Sequence, residues 1–250
     1  MENLIEVNSD MLDREHVCCA ISDKKSMQVK KEWMKGCFAD GYQFWKVNAQ
    51  GKALIEFIPA ENAWAPIAAD GYLFIDCFWV AGSLAGKGYG IALLEQCSET
   101  AKKMGKKGLT AISSDKKRPF LSEPGFYRKH GFRTADTAPP FFELLYLPFD
   151  ENADTPKFRD NAKRGKDMRQ GVTIYYTEHC PWTAKYIPLL KKIAEERNAP
   201  VCFFKIGSKE EAQCAPSPFT TFSVYYNGIF ATNEMFSSKK FIGFLEEKGF

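Results

Sequence analysis

"FIDCFWVAGSLAGKGYGIALLE", residues 74–95, passes from an apolar run through three closely spaced glycines into a helical pattern. The spacing predicts a strand over 72–80, a helix over 89–104 that stops near Gly105, and Gly86, Gly88 and Gly90 at the turn between them. Such a turn exposes backbone N–H groups that have no partner within the helix, and anionic oxygens satisfy them. Glycine also lets a ligand approach the main chain where a Cβ would collide. A phosphate is the natural ligand. A Walker-type loop requires Lys-Ser or Lys-Thr after its last glycine, but Gly90 is followed by Ile91 and Ala92. A dinucleotide fingerprint requires spacings of two then three on the first βα unit. Here both spacings are two, and an antiparallel pair precedes the turn.

That pair is "YQFWKVNA" (42–49) and "ALIEFIPA" (53–60), joined through a connection containing Gly51. Before it, Met27, Trp33, Met34 and Phe38 recur at roughly helical period, and Gly41 offers a stop. Strand 109–113, a helical stretch near 120–130 and a strand region over "FRTADTAPPFFELLYLPF" follow. Residues 1–150 thus form one α/β (α+β) layer domain. The stretch "DENADTPKFRDNAKRGKDMRQG" (150–171) is polar and carries both charge signs, so 151–171 reads as a linker. Residues 172–250 then show a βαβαββα order, enough for a small domain of their own.

A formal charge of +3 on 250 residues is too small to indicate a nucleic-acid partner. The N-terminal stretch has acids where a secretion signal needs positive charge, and no run approaches a membrane-spanning length. A cytoplasmic location with no membrane partner is expected. Eight cysteines without CxxC or HxxxH spacing imply reduced thiols and no metal site.

The 74–95 stretch resembles motif A of the GNAT N-acetyltransferases, in which a strand ending in valine leads into Arg/Gln-x-x-Gly-x-Gly/Ala and a helix. Val80 matches the strand end, and Ala85, Gly86, Lys87, Gly88, Tyr89 and Gly90 match the loop, with Ala85 replacing the usual Arg or Gln. Lys87 or the "SSDKKR" segment (113–118) would supply charge. "PFLSEPGFYRKHGFRTAD" (119–136) resembles motif B through Tyr127, Gly131 and Phe132. Phe120 stands where that motif often has Asn, and Pro124 bends or shortens the helix. The whole chain is similar to YoaP-type members of the family, which append a thioredoxin-like module; "EHVCCAIS", "IEFIPAENAW" and "IYYTEHCPWTAKY" carry that closer likeness.

The resemblance implies a GNAT fold with a mixed central sheet, acetyl-CoA as cosubstrate, and a small-molecule or peptide amine as acceptor. By the same resemblance a bulge splays the strand, Phe78 and Val80 pair their backbones with the pantetheine arm, and the Val80 N–H faces the thioester carbonyl. Tyr127, protonated at neutral pH, is the candidate general acid, and packing beneath Gly131 is its structural alternative. Glu56 interrupts an apolar strand and is the candidate base, with Glu61 and Asp76 as rivals. Four tryptophans, Trp33, Trp45, Trp64 and Trp79, are candidates for an acceptor pocket or for packing.

In the second domain Cys180 lies at the junction of strand and helix with Pro181 behind it, a position that lowers a thiol pKa. It is the possible redox thiol. Thr183 stands where a second cysteine would complete CxxC, so a dithiol cycle within that turn is excluded, and Cys214 is the distant candidate to resolve a mixed disulfide. Pro216 or Pro218 is the candidate for the cis proline that faces the cysteine in thioredoxin-like folds. An interaction or substrate-positioning role for this module ranks ahead of a redox one. The alternatives for the whole chain are therefore an N-acetyltransferase, a thiol-redox protein, and a CoA-binding sensor.

Overall fold

The computed structural model describes residues 3–18, 23–49 and 51–250. Its elements in chain order are β1 (Leu4–Glu6), α1 (Lys24–Phe38), β2 (Gln43–Val47), β3 (Lys52–Pro59), β4 (Ile67–Ala68), β5 (Tyr72–Ala81), α2 (Tyr89–Lys103), β6 (Gly108–Ser114), α3 (Pro124–Lys129), β7 (Arg133–Ala138) and β8 (Phe142–Pro148). Beyond these come β9 (Lys157–Phe158), α4 (Asp160–Arg164), β10 (Val172–Tyr176), α5 (Pro181–Glu196), β11 (Val201–Lys205), α6 (Lys209–Gln213), β12 (Phe222–Tyr226), β13 (Ile229–Thr232) and α7 (Ser238–Glu247). None of the described helices is long and apolar enough to cross a membrane.

A seven-stranded mixed sheet, ordered β1-β2-β3-β5-β6-β8-β7, forms the first layer. The pair β2 and β3 is antiparallel, as the alternating sequence predicts, whereas β5 and β6 run parallel because the α2 crossover separates them. Leu73, Ile75 and Phe78 face one apolar cluster together with Leu93 and Cys97 of α2. Tyr72, Phe74 and Cys77 face another, with Met34 and Cys37 of α1. Ile75 and Phe78 are three positions apart, not two, so one extra residue sits between them. The register confirms it: Ile75 opposes Phe57 and Cys77 opposes Glu56, which leaves Asp76 as the bulged residue.

That bulge has a consequence on the other side of β5. Pairing with β6 ends at Ile75 opposite Ala111, so β5 from Asp76 onward has no strand partner there. The two strands part, and a wedge opens at their ends.

Residues 172–250 form a four-stranded sheet ordered β11-β10-β12-β13. β10 and β11 are parallel, and β12 and β13 continue antiparallel. One face is covered by α5 and α7 through Ile187, Leu190, Phe241 and Leu245. Its other face includes Tyr175 and Tyr225, against which Trp64 of the first layer packs.

The polar stretch 151–171 is more than a connection. Its β9 pairs with β4, and Phe158 and Ala162 are buried in the first-layer core. Arg159 donates to the Ile67 carbonyl at 2.9 Å and to Gln213 at 3.0 Å, while Asn161 donates to the carbonyl of Ala215 at 2.6 Å. The segment therefore ties the two sheets together, and α1 packs directly on α5. The cis X-Pro bond among the described residues is Pro139–Pro140; Pro216 and Pro218 are not cis.

Candidate active site

A cleft of about 870 Å³ opens in the wedge between β5 and β6. Phe78 and Val80 line it from β5, Ala85, Gly86, Gly88 and Gly90 from the turn, and Tyr127 from α3. Seven of the residues assigned from the sequence to donor binding or acid catalysis are thus brought to one place, whereas Lys87, Tyr89, Glu56 and Cys180 do not line it.

The three glycines serve two ends. Gly86 and Gly88 stand at φ of 74° and 82°, and a Cβ on either would meet nothing within 4 Å. They set the left-handed backbone and keep the cleft floor bare. Gly90 allows close packing, since its Cβ would come to 3.3 Å from the Phe126 ring, which would have to give by a few tenths of an ångström. Gly88 caps α2 without a side chain, and the first backbone bond of the helix runs from Ala92 N to Gly88 O. The amides of Tyr89, Gly90 and Ile91 therefore have no partner within the helix, which makes this end a site for an anion.

Tyr127 is fully buried, yet its hydroxyl makes no hydrogen bond with the described residues. Burial raises its pKa well above the ordinary phenol value, with Ser122 partly offsetting the rise. A buried hydroxyl without a partner costs free energy unless something in the cleft accepts from it. Lys117, Arg118, Lys129 and His130 also line the cleft. Lys117 and Arg118 fall in the basic segment noted in the sequence; Lys129 and His130 lie inside the motif B stretch, at the end of α3, and no spacing in the sequence singled them out. Acetyl-CoA fits this donor set: free amides and cations for its diphosphate, an unpaired strand edge for its arm, and an unsatisfied hydroxyl near the end.

Glu56 is placed differently from a residue open to a cleft. It is completely buried, and its Oε1 accepts from Lys30 Nζ at 2.5 Å while Oε2 accepts from Tyr42 at 2.5 Å. Oε2 also accepts from Nε2 of His179, at 2.8 Å, which the second domain supplies. Burial alone would raise this carboxyl; the Lys30 and His179 charges overcome that and bring it down to about 2. For Lys30, burial is likewise outweighed by Glu56, and its pKa rises. His179 is raised too, because Asp76 and Glu56 outweigh the cost of burying its charge. Sequence reading missed His179, since nothing local to "TEHCPW" shows what it meets.

Asp76, the bulged residue of β5, lies 3.6 Å from the same His179 nitrogen and makes no hydrogen bond with the described residues. It lines a second cavity, of about 30 Å³, closed on the far side by Pro218, Phe219, Thr220 and Thr221. Of the tryptophans, Trp79 lines the large cleft, and Trp33 and Trp64 pack edge to face beside His179. Cys180 is the N-cap of α5, but burial pushes its thiol up to about 12 despite a backbone hydrogen bond and Lys30 acting the other way.

Comparison with known proteins agrees with this geometry. The family model described as an acetyltransferase (GNAT) domain matches residues 40–134, and a YoaP-like model matches residues 200–242. The chain is 37% identical over 240 residues to the uncharacterized N-acetyltransferase YoaP of Bacillus subtilis (strain 168), covering 95% of this chain and 96% of that one. Among solved structures, a GNAT acetyltransferase from Staphylococcus aureus Mu50 is 19% identical with a TM-score of 0.42, covering 59% of this chain and 99% of that one. A GNAT acetyltransferase from Brucella melitensis, solved with acetyl-CoA, is 14% identical with a TM-score of 0.38, covering 62% of this chain and 94% of that one. With its glycine turn and splayed β5, and with a relative alike along almost its whole length, this chain belongs to the GNAT N-acetyltransferases of the YoaP type.

Proposed function

We propose that the protein transfers an acetyl group from acetyl-CoA to an amine, and that the cleft between β5 and β6 holds the donor. The observation that carries this reading is a coincidence in one place. Unpartnered helix-start amides, a strand edge without a neighbour and a buried hydroxyl without a partner all border the same cleft.

Acetyl-CoA bound there supplies a thioester, whose carbonyl carbon is the electrophile. The amides after Gly88 grip the diphosphate, and Lys117, Arg118 and Lys129 add positive charge at the walls. Phe78 and Val80 offer main-chain groups to the pantetheine arm. The Val80 N–H is assigned to the carbonyl oxygen, where one such donor contributes about 3 kcal/mol in the transition state. The exchange forms a carbon–nitrogen bond, breaks a carbon–sulfur bond, frees one proton from the amine and puts one on sulfur. Tyr127 serves the sulfur. With its pKa raised by burial it keeps its proton and donates a hydrogen bond to the leaving thiolate, and the proton that sulfur finally takes comes from solvent. We assign Glu56 the part of a charge anchor behind the acceptor side, since Lys30, Tyr42 and His179 already occupy both of its oxygens.

The order β11-β10-β12-β13 with Cys180 capping α5 supports a thioredoxin-like reading of the second domain. A thiol pushed up to about 12 favours a positioning role over a redox one. Free thiols at Cys37, Cys77, Cys97, Cys180, Cys202 and Cys214 support a reducing, cytoplasmic setting.

Titration calorimetry with acetyl-CoA, followed by mass analysis of amines incubated with protein and donor, tests the reading. The expected result is one donor bound per chain and an acetylated amine. No heat of association at millimolar acetyl-CoA overturns it.

A further inference from the structure

The cavity between the two sheets is small and chemically one-sided. Ile75, Asp76 and Ile112 come from the first layer, Pro218 to Thr221 from the second domain, and Phe120 to Ser122 join it to the donor cleft, which they also line. Its one acidic group, Asp76, is a mostly buried carboxylate with a side-chain exposure of 13% and no hydrogen bond within the described protein. The nearest cation, His179 Nε2 at 3.6 Å, already gives its proton to Glu56. Lys30 is likewise committed to Glu56. Burial and the nearby Glu56 raise the Asp76 pKa against the pull of His179 and Lys30, so a further cation in the cavity would stabilise its charged form.

Its location fits that need. Asp76 lies two residues before Phe78 on β5, on the stretch where the strand parts from β6. A nitrogen paired with Asp76 is thus held beside the strand segment to which the donor arm is assigned. The far wall does not swing freely: Thr220 Oγ1 donates to the Trp64 carbonyl at 2.5 Å, and Asn233 of the second domain donates to the Pro119 carbonyl at 3.0 Å. Thr221 faces His179 Nδ1 at 3.4 Å, so one residue of the wall also touches the imidazole beside Asp76.

We propose that this cavity is the amine subsite, in which Asp76 pairs with the aminium group of a slender primary amine, which gives one proton to solvent to become the nucleophile and a second as the carbon–nitrogen bond forms, and the second domain, through Pro218 to Thr221, decides which amines enter. The proposal rests on the acetyl-transfer reading and names its acceptor class. A volume of about 30 Å³ holds roughly two water-sized groups, the nitrogen and its first carbon. N-methylation or branching at that carbon leaves no room. Phe120 also borders a groove of about 120 Å³ formed by Trp182, Tyr186, Met235, Ser237 and Lys240, in which Trp182 and Tyr186 stack at 5.3 Å. An aromatic or apolar body beyond the amine has its place there.

The test uses the full-length protein with acetyl-CoA and three probes: 2-phenylethylamine, its N-methyl derivative, and O-benzylhydroxylamine, which has nearly the same shape and is uncharged at neutral pH. For wild type, kcat/KM for 2-phenylethylamine is expected to exceed that for the N-methyl compound by roughly 10–200-fold. Asp76→Asn is expected to raise KM for 2-phenylethylamine about 10-fold or more, with a smaller effect on O-benzylhydroxylamine and unchanged acetyl-CoA affinity. Thr221→Leu, filling the cavity from the second domain, is expected to raise the amine KM alone. Equal use of the N-methyl compound, an Asp76→Asn effect equal for charged and neutral amines, or no acetylation of 2-phenylethylamine while acetyl-CoA binds normally overturns the proposal and leaves the donor reading standing. Failure of wild type to bind acetyl-CoA overturns the donor reading and the proposal with it.

Discussion

Replacing Glu56 by Gln removes one charge and almost no volume, and the structure gives the size of the effect. The carboxylate is fully buried and joins Lys30 on α1, Tyr42 before β2 and His179 of the second domain. Lowering a carboxyl from 4.5 to about 2 corresponds to roughly 3 kcal/mol of stabilisation. Leaving Lys30 buried without its counter-charge costs about the same, ~3–5 kcal/mol. For a chain of this length each kcal/mol moves the melting temperature by about 2–4 °C, so Glu56→Gln is expected to melt about 6–12 °C lower at pH 7. The pH dependence follows from the sign of the shift. The folded value lies below the unfolded one, so the unfolded chain binds more protons between them, and the Glu56 contribution is whole above pH 4.5 and lost as pH falls through about 2. Scanning calorimetry of wild type and variant from pH 7 downward should show the gap closing over that window. A gap that stays constant down to pH 2.5, or a difference under about 2 °C at pH 7, refutes the buried network as a source of stability.

Three further outcomes follow from particular residues. Tyr127→Phe is expected to lower kcat roughly 100-fold or more with acetyl-CoA affinity unchanged; because the hydroxyl has no partner among the described residues, the melting temperature should hold or rise slightly, and wild-type turnover rejects the role. Gly88→Val forces a branched residue to a φ of 82°, at a cost of about 1–2 kcal/mol, and should weaken acetyl-CoA binding in calorimetry, whereas Gly36→Ala on the open side of α1 should stabilise by about 0.5–1 kcal/mol without touching it. With its thiol pushed up to about 12, Cys180 should alkylate more slowly at pH 8 than the exposed Cys202 and Cys214, as read by peptide mass; equal rates contradict the assigned burial.

The donor side was legible because its requirements are local. Gly86 and Gly88 need positive φ and Gly90 lets the Phe126 ring come close, and each of these is written in the residue type at its own position. Most strands and helices followed from periodicity in the same way, but β1, β4, β9 and α4 carry too few residues to show it, and the single strand region read over "FRTADTAPPFFELLYLPF" is two strands, β7 and β8. Glu56 was visible as a polar interruption, but its chemistry depends on partners 26, 14 and 123 residues away, one of them in another domain. The site of the bulge at Asp76 is a property of register between two strands, which no single strand sequence reports. The stretch 151–171 looked like a bare linker because polar composition outweighed Phe158, the aromatic that β9 places in the core. His179 stayed hidden for the same reason as the wall at 218–221: both acquire their surroundings only when the second domain docks.

Hydrogen exchange of backbone amides, followed residue by residue with and without acetyl-CoA, tests the central claim most directly. The account expects ligand-dependent slowing at Phe78 to Val80 and at Tyr89 to Ile91, with β10 to β13 unchanged. Exchange at those positions that is the same with and without saturating acetyl-CoA, or slowing confined to the second domain, would contradict it.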